Sequence, residues 1–473
     1  LFILDCGGGC ASRLIDRSTT VPQPTMKVLL YVGPIAARTA LVLFMAAGLF
    51  GGPPAQVEAA AGATTAAAED VEPSDAERQL WTAVGTFGHE LLQLSSKGQP
   101  PYPNVLLSPL SVHSALSMAL EGARGSTRTA MLEALKLNGL EPEAIRQAYT
   151  ALTSRKHENM TKADDFFPDV QFIMRLANRM YLSKAYSIDP AYVDQVKATY
   201  YAEAVSADFA AEGAAVQKQI NDFVRERTNN LIPQILHDPL SPNTVIALIN
   251  ALYFKGDWKK VMHEKNTVLQ FNKGSKEHQQ EYSNWLNTVE KVPYLESAAL
   301  RAKLIRLPYK SRRYTASMLI IVPEDLLCDG NQWLHDVKWT DIQQELSKMR
   351  MTRVNLTMPR FEVGARLQLE NTLPSMGMPS AFDTATSDLS GMVTDKGQRL
   401  SIDQVIHQTK MTVTKYGTEA AAATVLTVML TSYQIPTEPI TMVVDRAFYF
   451  AILYGTYDAA DVMPLFNGVI YKM

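Results

Sequence analysis

Gly417-Thr418-Glu419-Ala420-Ala421-Ala422-Ala423-Thr424-Val425-Leu426-Thr427-Val428-Met429 carries two opposed signals. Four consecutive alanines favour a helix. A glycine opens the run, however, and Thr424, Val425, Thr427 and Val428 are β-branched, which favours an extended chain. Read as a strand, one face carries Thr418, Ala420, Ala422, Thr424, Leu426 and Val428. All are small or apolar, and no proline interrupts before Pro436. Such a segment fits between two strands of an existing sheet, because its inward face would neither clash nor bury a charge. A permanently buried strand or an Ala-rich core helix explains the same composition. The segment alone leaves these readings open.

The chain on either side is unevenly organised. Upstream, Leu80, Val84, Phe87, Leu91 and Leu94 fall three or four apart behind Ser74, a suitable N-cap. Further helical patterns cover 111–121, an amphipathic stretch through Leu135, 189–199 and 214–236. Strand patterns dominate later, at 245–254, 314–322, 353–363, 409–414 and 440–454, with Pro308 and Pro323 as punctuation. Helices first and strands later, without a βαβ rhythm, point to an α+β fold.

The 473 residues are 47% apolar and 20% charged, with a formal net charge of -3. That suits a large globular core, and no basic stripe is present to bind nucleic acid. Residues 1–25 lack periodicity and read as leader upstream of Met26. Residues 26–59 have the layout of a secretory signal peptide: Lys27, an apolar run from Ala40 to Phe50, then small residues before cleavage after Ala59 or Ala61. The rival reading is an uncleaved signal anchor; the run is short for a membrane span and Arg38 interrupts it on the N-terminal side, so secretion is favoured and no membrane partner is expected. Residues 60–73 read as a disordered tail. Removal of the leader leaves Cys328 as the single cysteine, so the core rather than a disulfide must hold the fold. Asn159-Met160-Thr161 is a glycosylation sequon in a polar stretch, whereas Asn355-Leu356-Thr357 lies in a strand-like run that disfavours it.

Chemistry-bearing motifs are missing. The chain has no G-x-S-x-G, P-loop, G-x-G-x-x-G or H-E-x-x-H. Its scattered histidines and one mature cysteine offer no Cys/His zinc site. The expectation is a non-enzyme without metal or cofactor. A glycosaminoglycan would have Arg155, Lys156 and Lys162 to bind, but three cations in a polar stretch read as solvated surface.

A series of ordered motifs then carries a resemblance. Asn104-Val105-Leu106-Leu107-Ser108-Pro109-Leu110-Ser111 with Gly122-Ala123-Arg124-Gly125 comes first, followed by Ala177-Asn178-Arg179-Met180-Tyr181. Ile220-Asn221 through Thr228 and Ile232 follows, then Asn250-Ala251-Leu252-Tyr253-Phe254-Lys255-Gly256-Asp257-Trp258. Pro359-Arg360-Phe361, Ala381-Phe382, Ala447–Ile452 and Leu465-Phe466-Asn467-Gly468 complete the series. From about residue 75 onward the chain resembles the serpins.

The resemblance implies a serpin domain over 74–473. Helices would pack on a large mixed sheet, with two further sheets and an exposed reactive-centre loop at about 415–439. It implies a monomeric, secreted, extracellular inhibitor whose partner is a serine protease held as a covalent acyl-enzyme. The alternative is a non-inhibitory binding or carrier protein, which would tend to have bulky, charged or proline residues in its hinge. The hinge falls on Lys415, Gly417, Thr418, Glu419, Ala420, Ala421, Ala422, Ala423 and Thr424. Ser108, Ser111, Asn250 and His407 match a buried polar "shutter" cluster, and Trp258, Arg360 and Lys415 the "breach" at the top of the sheet.

Two departures stand out. Lys415 replaces the usual Glu and would face Arg360, so unless an acid intervenes repulsion should loosen the top of the sheet or let the loop insert in part, and Lys415→Glu should raise the melting temperature. The family's usual interval, counted from Lys415, implies a reactive bond at Thr431-Ser432, whereas the count back from Phe448 implies a later site and hence an insertion near Tyr433–Pro439, with Leu430 and Tyr433 as alternatives before the cut. None is Arg or Lys, which favours a chymotrypsin-like or elastase-like target.

Overall fold

The computed structural model describes residues 73–98, 102–161, 172–272, 279–310, 315–324, 330–418, 438–455 and 461–473. The leader, signal and most of the tail (1–72), Cys328 and the loop residues 419–437 lie outside these, as do Thr431, Ser432, Leu430, Tyr433 and the hinge from Glu419 to Thr424.

Helix α1 (Asp75–Ser95) starts where its chemistry dictates. The Glu77 amide donates to Ser74 Oγ, and Glu77 Oε2 accepts from the Ser74 amide at 2.9 Å, a reciprocal cap. After strand β1 (Val105–Leu107), Ser108 caps helix α2 (Pro109–Gly122), whose Pro109 occupies a first-turn position that needs no amide hydrogen. Helices α3 (Gly125–Ala134) and α4 (Pro142–Thr161) follow, the latter not anticipated from its polar sequence. Asn159, Arg155 and Lys156 fall in α4.

Next come β2 (Phe172–Ser183), α5 (Pro190–Tyr200), β3 (Glu203–Ala207), α6 (Gly213–Arg227) and β4 (Ile246–Asp257). The helix expected over 214–236 stops at Arg227. Asn229 and Asn230 turn left-handed (φ 52° and 61°), and the Asn221 carboxamide accepts from the Ile235 and Leu236 amides at 2.9 Å. The chain folds back along the helix. Ile232, Ile235 and Leu236 are still buried, which is what the periodicity registered.

The remaining strands are β5 (His263–Lys265), β6 (Leu269–Phe271), β7 (Gln280–Tyr282), β8 (Trp285–Ser297), β9 (Ala302–Pro308) and β10 (Thr315–Pro323). Helices α7 (Gly330–Asp336) and α8 (Trp339–Leu346) precede β11 (Arg350–Pro359), β12 (Phe361–Gln368), β13 (Ile402–Val413), β14 (Gly417–Thr418), β15 (Ile440–Val443), β16 (Phe448–Gly455) and β17 (Val462–Ile470). Two strands expected as single runs are divided. The 353–363 run breaks at Arg360, and its halves join different sheets; the 440–454 run breaks before Phe448.

Three sheets result. Nine strands run β1-β17-β16-β10-β9-β8-β11-β15 with β5 beside β8; six run β12-β13-β14-β4-β2-β3; β6 and β7 pair alone. Both larger sheets are mixed, since β11–β15, β2–β3 and β13–β4 are parallel. In β4, Ile246, Leu248, Leu252 and Phe254 face the main core, whereas Ala247, Ile249 and Ala251 face a smaller one under α6. Burial on both faces explains why its sequence is continuously apolar.

Candidate functional site: a partly opened seam between two parallel strands

The six-stranded sheet has one irregular seam. Strands β13 and β4 pair directly from Ile402↔Ile246 to Gln408↔Ala251. Above that, β14 is wedged between them, with Thr418 opposite Gly256 on one side and Val413 on the other. Residues 252–255 and 409–412 lie between the two ladders, and no described strand bridges them. The sheet that receives the hinge is thus the six-stranded one, not the largest.

At the wedge, a Cβ on Gly417 would sit 2.1 Å from the Gly256 carbonyl oxygen. Only a glycine allows that approach. Thr418 is fully buried, and its hydroxyl lies 2.6 Å from the Tyr309 hydroxyl. Trp258 stacks on Tyr309, with centroids 4.4 Å apart and planes at 10°. Its indole N–H donates to the Thr414 carbonyl at 2.9 Å and its amide to the Tyr416 carbonyl at 2.8 Å. Burial pushes the Tyr309 phenol far up, so it stays a neutral hydrogen-bonding group.

The breach residues separate. Trp258 and Lys415 belong to adjoining segments tied by backbone bonds: the Trp258 amide donates to the Tyr416 carbonyl at 2.8 Å, and the Met262 amide to the Lys415 carbonyl at 2.9 Å. Lys415 Nζ pairs with Glu264 Oε1 at 3.2 Å, a bond that raises the lysine pKa. The repulsion expected from Arg360 is therefore corrected: an acid on β5, distant in sequence, takes that position. Arg360 is exposed at the β11–β12 joint, its amide donating to the Asn284 carbonyl at 2.8 Å.

The shutter residues meet in the closed part of the seam, between β13, β4 and the start of α2. The Ser108 amide donates to His407 Nε2 at 2.9 Å, and Ser108 Oγ accepts from the Ser111 amide at 3.2 Å. Because an amide can only donate, His407 Nε2 is the acceptor and Nδ1 carries the proton, which it gives to Asn250 Oδ1. Burial lowers the His407 pKa to about 3, consistent with this neutral tautomer. Ser111 Oγ donates to Asn178 Oδ1 at 2.9 Å, and Thr409 Oγ1 to the Leu106 carbonyl at 2.8 Å. Asn250 Nδ2 has no acceptor among the described residues. At the lower end, Asp403 Oδ2 accepts from the Val245 amide at 2.6 Å.

Sequence reasoning missed Tyr309, Glu264, Asn178 and Thr409. Asn178 was within reach, since it lies in the quoted Ala177-Asn178 motif. The others are joined to the seam only by tertiary pairing. The described residues contain no cluster of His, Cys, Asp and Glu able to hold a metal, and no helix long and apolar enough to cross a membrane.

Comparisons with known proteins agree with this architecture. The family model "Serpin (serine protease inhibitor)" matches residues 82–472. Leukocyte elastase inhibitor of Equus caballus is 31% identical over 389 residues, which is 80% of this chain and 96% of the relative. Intracellular coagulation inhibitor 2 of Tachypleus tridentatus is 30% identical, over 83% of this chain and 91% of that one. Among solved structures, Serpin48 of the insect Tenebrio molitor superposes with a TM-score of 0.68 at 26% identity, covering 84% of this chain and 98% of its own. The thyroxine complex of thyroxine-binding globulin shares the fold, with a TM-score of 0.68 at 22% identity. The chain belongs to the serpin family.

Proposed function

We propose that this chain is a suicide-substrate inhibitor of an extracellular serine protease of chymotrypsin-like or elastase-like specificity. The observation that carries the reading is the two-residue wedge at Gly417–Thr418, already hydrogen-bonded between β4 and β13 above an unbridged stretch. Continuing that register inward sets Ala420 beside Phe254 and Met411, Ala422 beside Leu252 and Thr409, and Thr424 beside Asn250 and His407. Each incoming side chain on the core face is small, and Thr424 would bring a hydroxyl to the unpartnered Asn250 amide. Each new ladder bond contributes roughly 1 kcal/mol net.

The steps follow. The protease serine attacks the carbonyl of the reactive bond, Thr431-Ser432 or a neighbour after Leu430 or Tyr433, and forms an acyl-enzyme while the amine leaves. The freed hinge then zips down the seam, a loop-insertion switch of the general serpin kind. Speed decides the outcome, because the acyl bond must be carried away before water cleaves it. Residues 26–59 support secretion after signal removal, the family resemblance supports a monomer, and the sequon Asn159-Met160-Thr161 makes Asn159 the sugar acceptor.

The test is incubation with chymotrypsin-like, elastase-like and trypsin-like proteases. The expected results are an SDS-stable complex with the first two and a cleaved form that melts higher than the intact one. Sequencing the released C-terminal peptide locates the cut. Cleavage with neither a complex nor a gain in melting temperature overturns the reading and favours the binding or carrier alternative. Secretion is checked by the N-terminus of protein recovered from culture medium, and glycosylation by the gel shift on glycosidase treatment.

A further inference from the structure

The foot of the β4–β13 seam is closed differently from the rest of it. From Gln404↔Ala247 upward the parallel register is regular, but it shifts between Ile402 and Gln404 and leaves Asp403 without a partner residue on β4. A bulged residue re-aims its side chain. Here Asp403 Oδ2 reaches across the seam and accepts from two consecutive amides at the entry of β4, Val245 at 2.6 Å and Ile246 at 3.2 Å.

Both flanks of this contact are themselves held. The Val245 carbonyl accepts from the Ser183 amide at 2.8 Å, and Ile246 pairs with Leu182 of β2. On the other side Glu370 Oε2 accepts from the Val405 amide at 3.3 Å. The seam is thus shut at its foot by a carboxylate on amides, a charge-assisted bond stronger than the neutral one between His407 and Asn250. It lies at the opposite end of β4 from the Gly256–Thr418 pairing.

A strand that enters from the wedge takes the spacing of β4 and β13 from about 4.8 Å to about 9.6 Å. Ladder bonds lost on the way are remade, because the newcomer presents backbone donors and acceptors of its own. The aspartate bonds are not remade in the same way. A short side chain cannot span the wider gap, and the half-buried Asp403 carboxylate turns to water.

We propose that Asp403 is a positioning residue that clamps the foot of the seam in the uncut molecule only, and so opposes the last stage of strand parting. The inference rests on the inhibitor reading and deepens it by naming what holds the far end of the seam. Its signature is a contribution confined to one of two states of the same chain.

The test compares intact and chymotrypsin-cut protein, the latter freed of covalent complex, for wild type, Asp403→Ala and Asp403→Asn. Melting is followed in a fixed concentration of guanidinium, and sequencing of the released peptide locates the cut. Asp403→Ala should lower the melting temperature of the intact form by about 3–5 °C and leave the cut form within about 1 °C of wild type. The gain on cutting should therefore widen. Asp403→Asn keeps one acceptor oxygen without the charge, so its gain should fall between the other two, and it carries the test if the alanine variant does not fold. A merely structural foot would weaken both forms alike, so equal losses in intact and cut protein overturn the proposal. An intact Asp403→Ala protein as stable as wild type overturns it too. No gain on cutting the wild type sinks the inhibitor reading, and the clamp with it, whereas a wild-type gain with equal losses in the variants sinks the clamp alone.

Discussion

The upper and middle thirds of the β4–β13 seam are built on opposite principles. The top is already parted, and its filling is aromatic and backbone-based: Trp258 on Tyr309, with β14 between the strands. The middle is shut and polar, closed by His407 donating to Asn250 while accepting from Ser108. A zipper needs both. Under the proposed function, the parted end would fix where insertion starts, and the polar middle would supply a closure that can be exchanged for another hydrogen-bonding partner without stranding buried groups.

Disabling the top should have the largest effect. Thr418→Arg would force a cation into a fully buried site, so the wedge should leave the sheet. Covalent complex yield should fall by at least about tenfold, and cleaved protein should keep the intact melting temperature. A variant that still forms complex would show that the wedge is not where insertion begins.

Next is the middle. His407→Ala would orphan the Ser108 amide and the Asn250 carboxamide, lowering stability by about 1–3 kcal/mol in urea titrations. Spontaneous conversion to an inserted, non-inhibitory form should also quicken. A smaller loss accompanied by slower conversion would contradict the exchangeable-closure account.

Acid probes the same histidine. Its folded pKa, about 3, lies below the unfolded value near 6.5, so the unfolded chain binds the extra proton between these limits. Stability is therefore complete above about pH 6.5 and lost as pH falls towards 3, by about 2 kcal/mol at pH 5 for a buried neutral histidine. His89 and His113, each lowered to about 4 by burial, add to the slope. Denaturation at stepped pH should show His407→Gln releasing about one proton's worth of that dependence, and an unchanged slope would mean that His407 titrates normally.

The smallest effect is at Lys415. Because its partner is Glu264 across an exposed surface, Lys415→Glu should lower the melting temperature slightly, by no more than about 2 °C, and more salt should erase the difference. A clear rise would restore the repulsion by Arg360 expected from the sequence.

Much of this was legible in the chain. The α+β class and the Ser74 cap follow from patterns confined to short windows, whereas the seam residues Ser108, Ser111, Asn250 and His407 come only through the family resemblance. What escaped depends on separation. Glu264 meets Lys415 only because the chain after β4 turns back along β8, and nothing local marks it. The strand through 353–363 reads as continuous, yet Arg360 is the point at which the backbone changes sheets. The apolar period through 236 is real but belongs to a chain doubled back by Asn229 and Asn230, whose left-handed turns no hydrophobic pattern encodes.

Gly417 pairs with Asp257 where β14 meets β4, pressed against the Gly256 carbonyl. A side chain on Gly417 would collide with main chain already in the resting fold, so substitution there should push the wedge out of the sheet before any cut is made. Thickness rather than affinity decides where the molecule's timer is set. Evolution could vary the bait freely downstream, but the latch needs one residue with nothing on it.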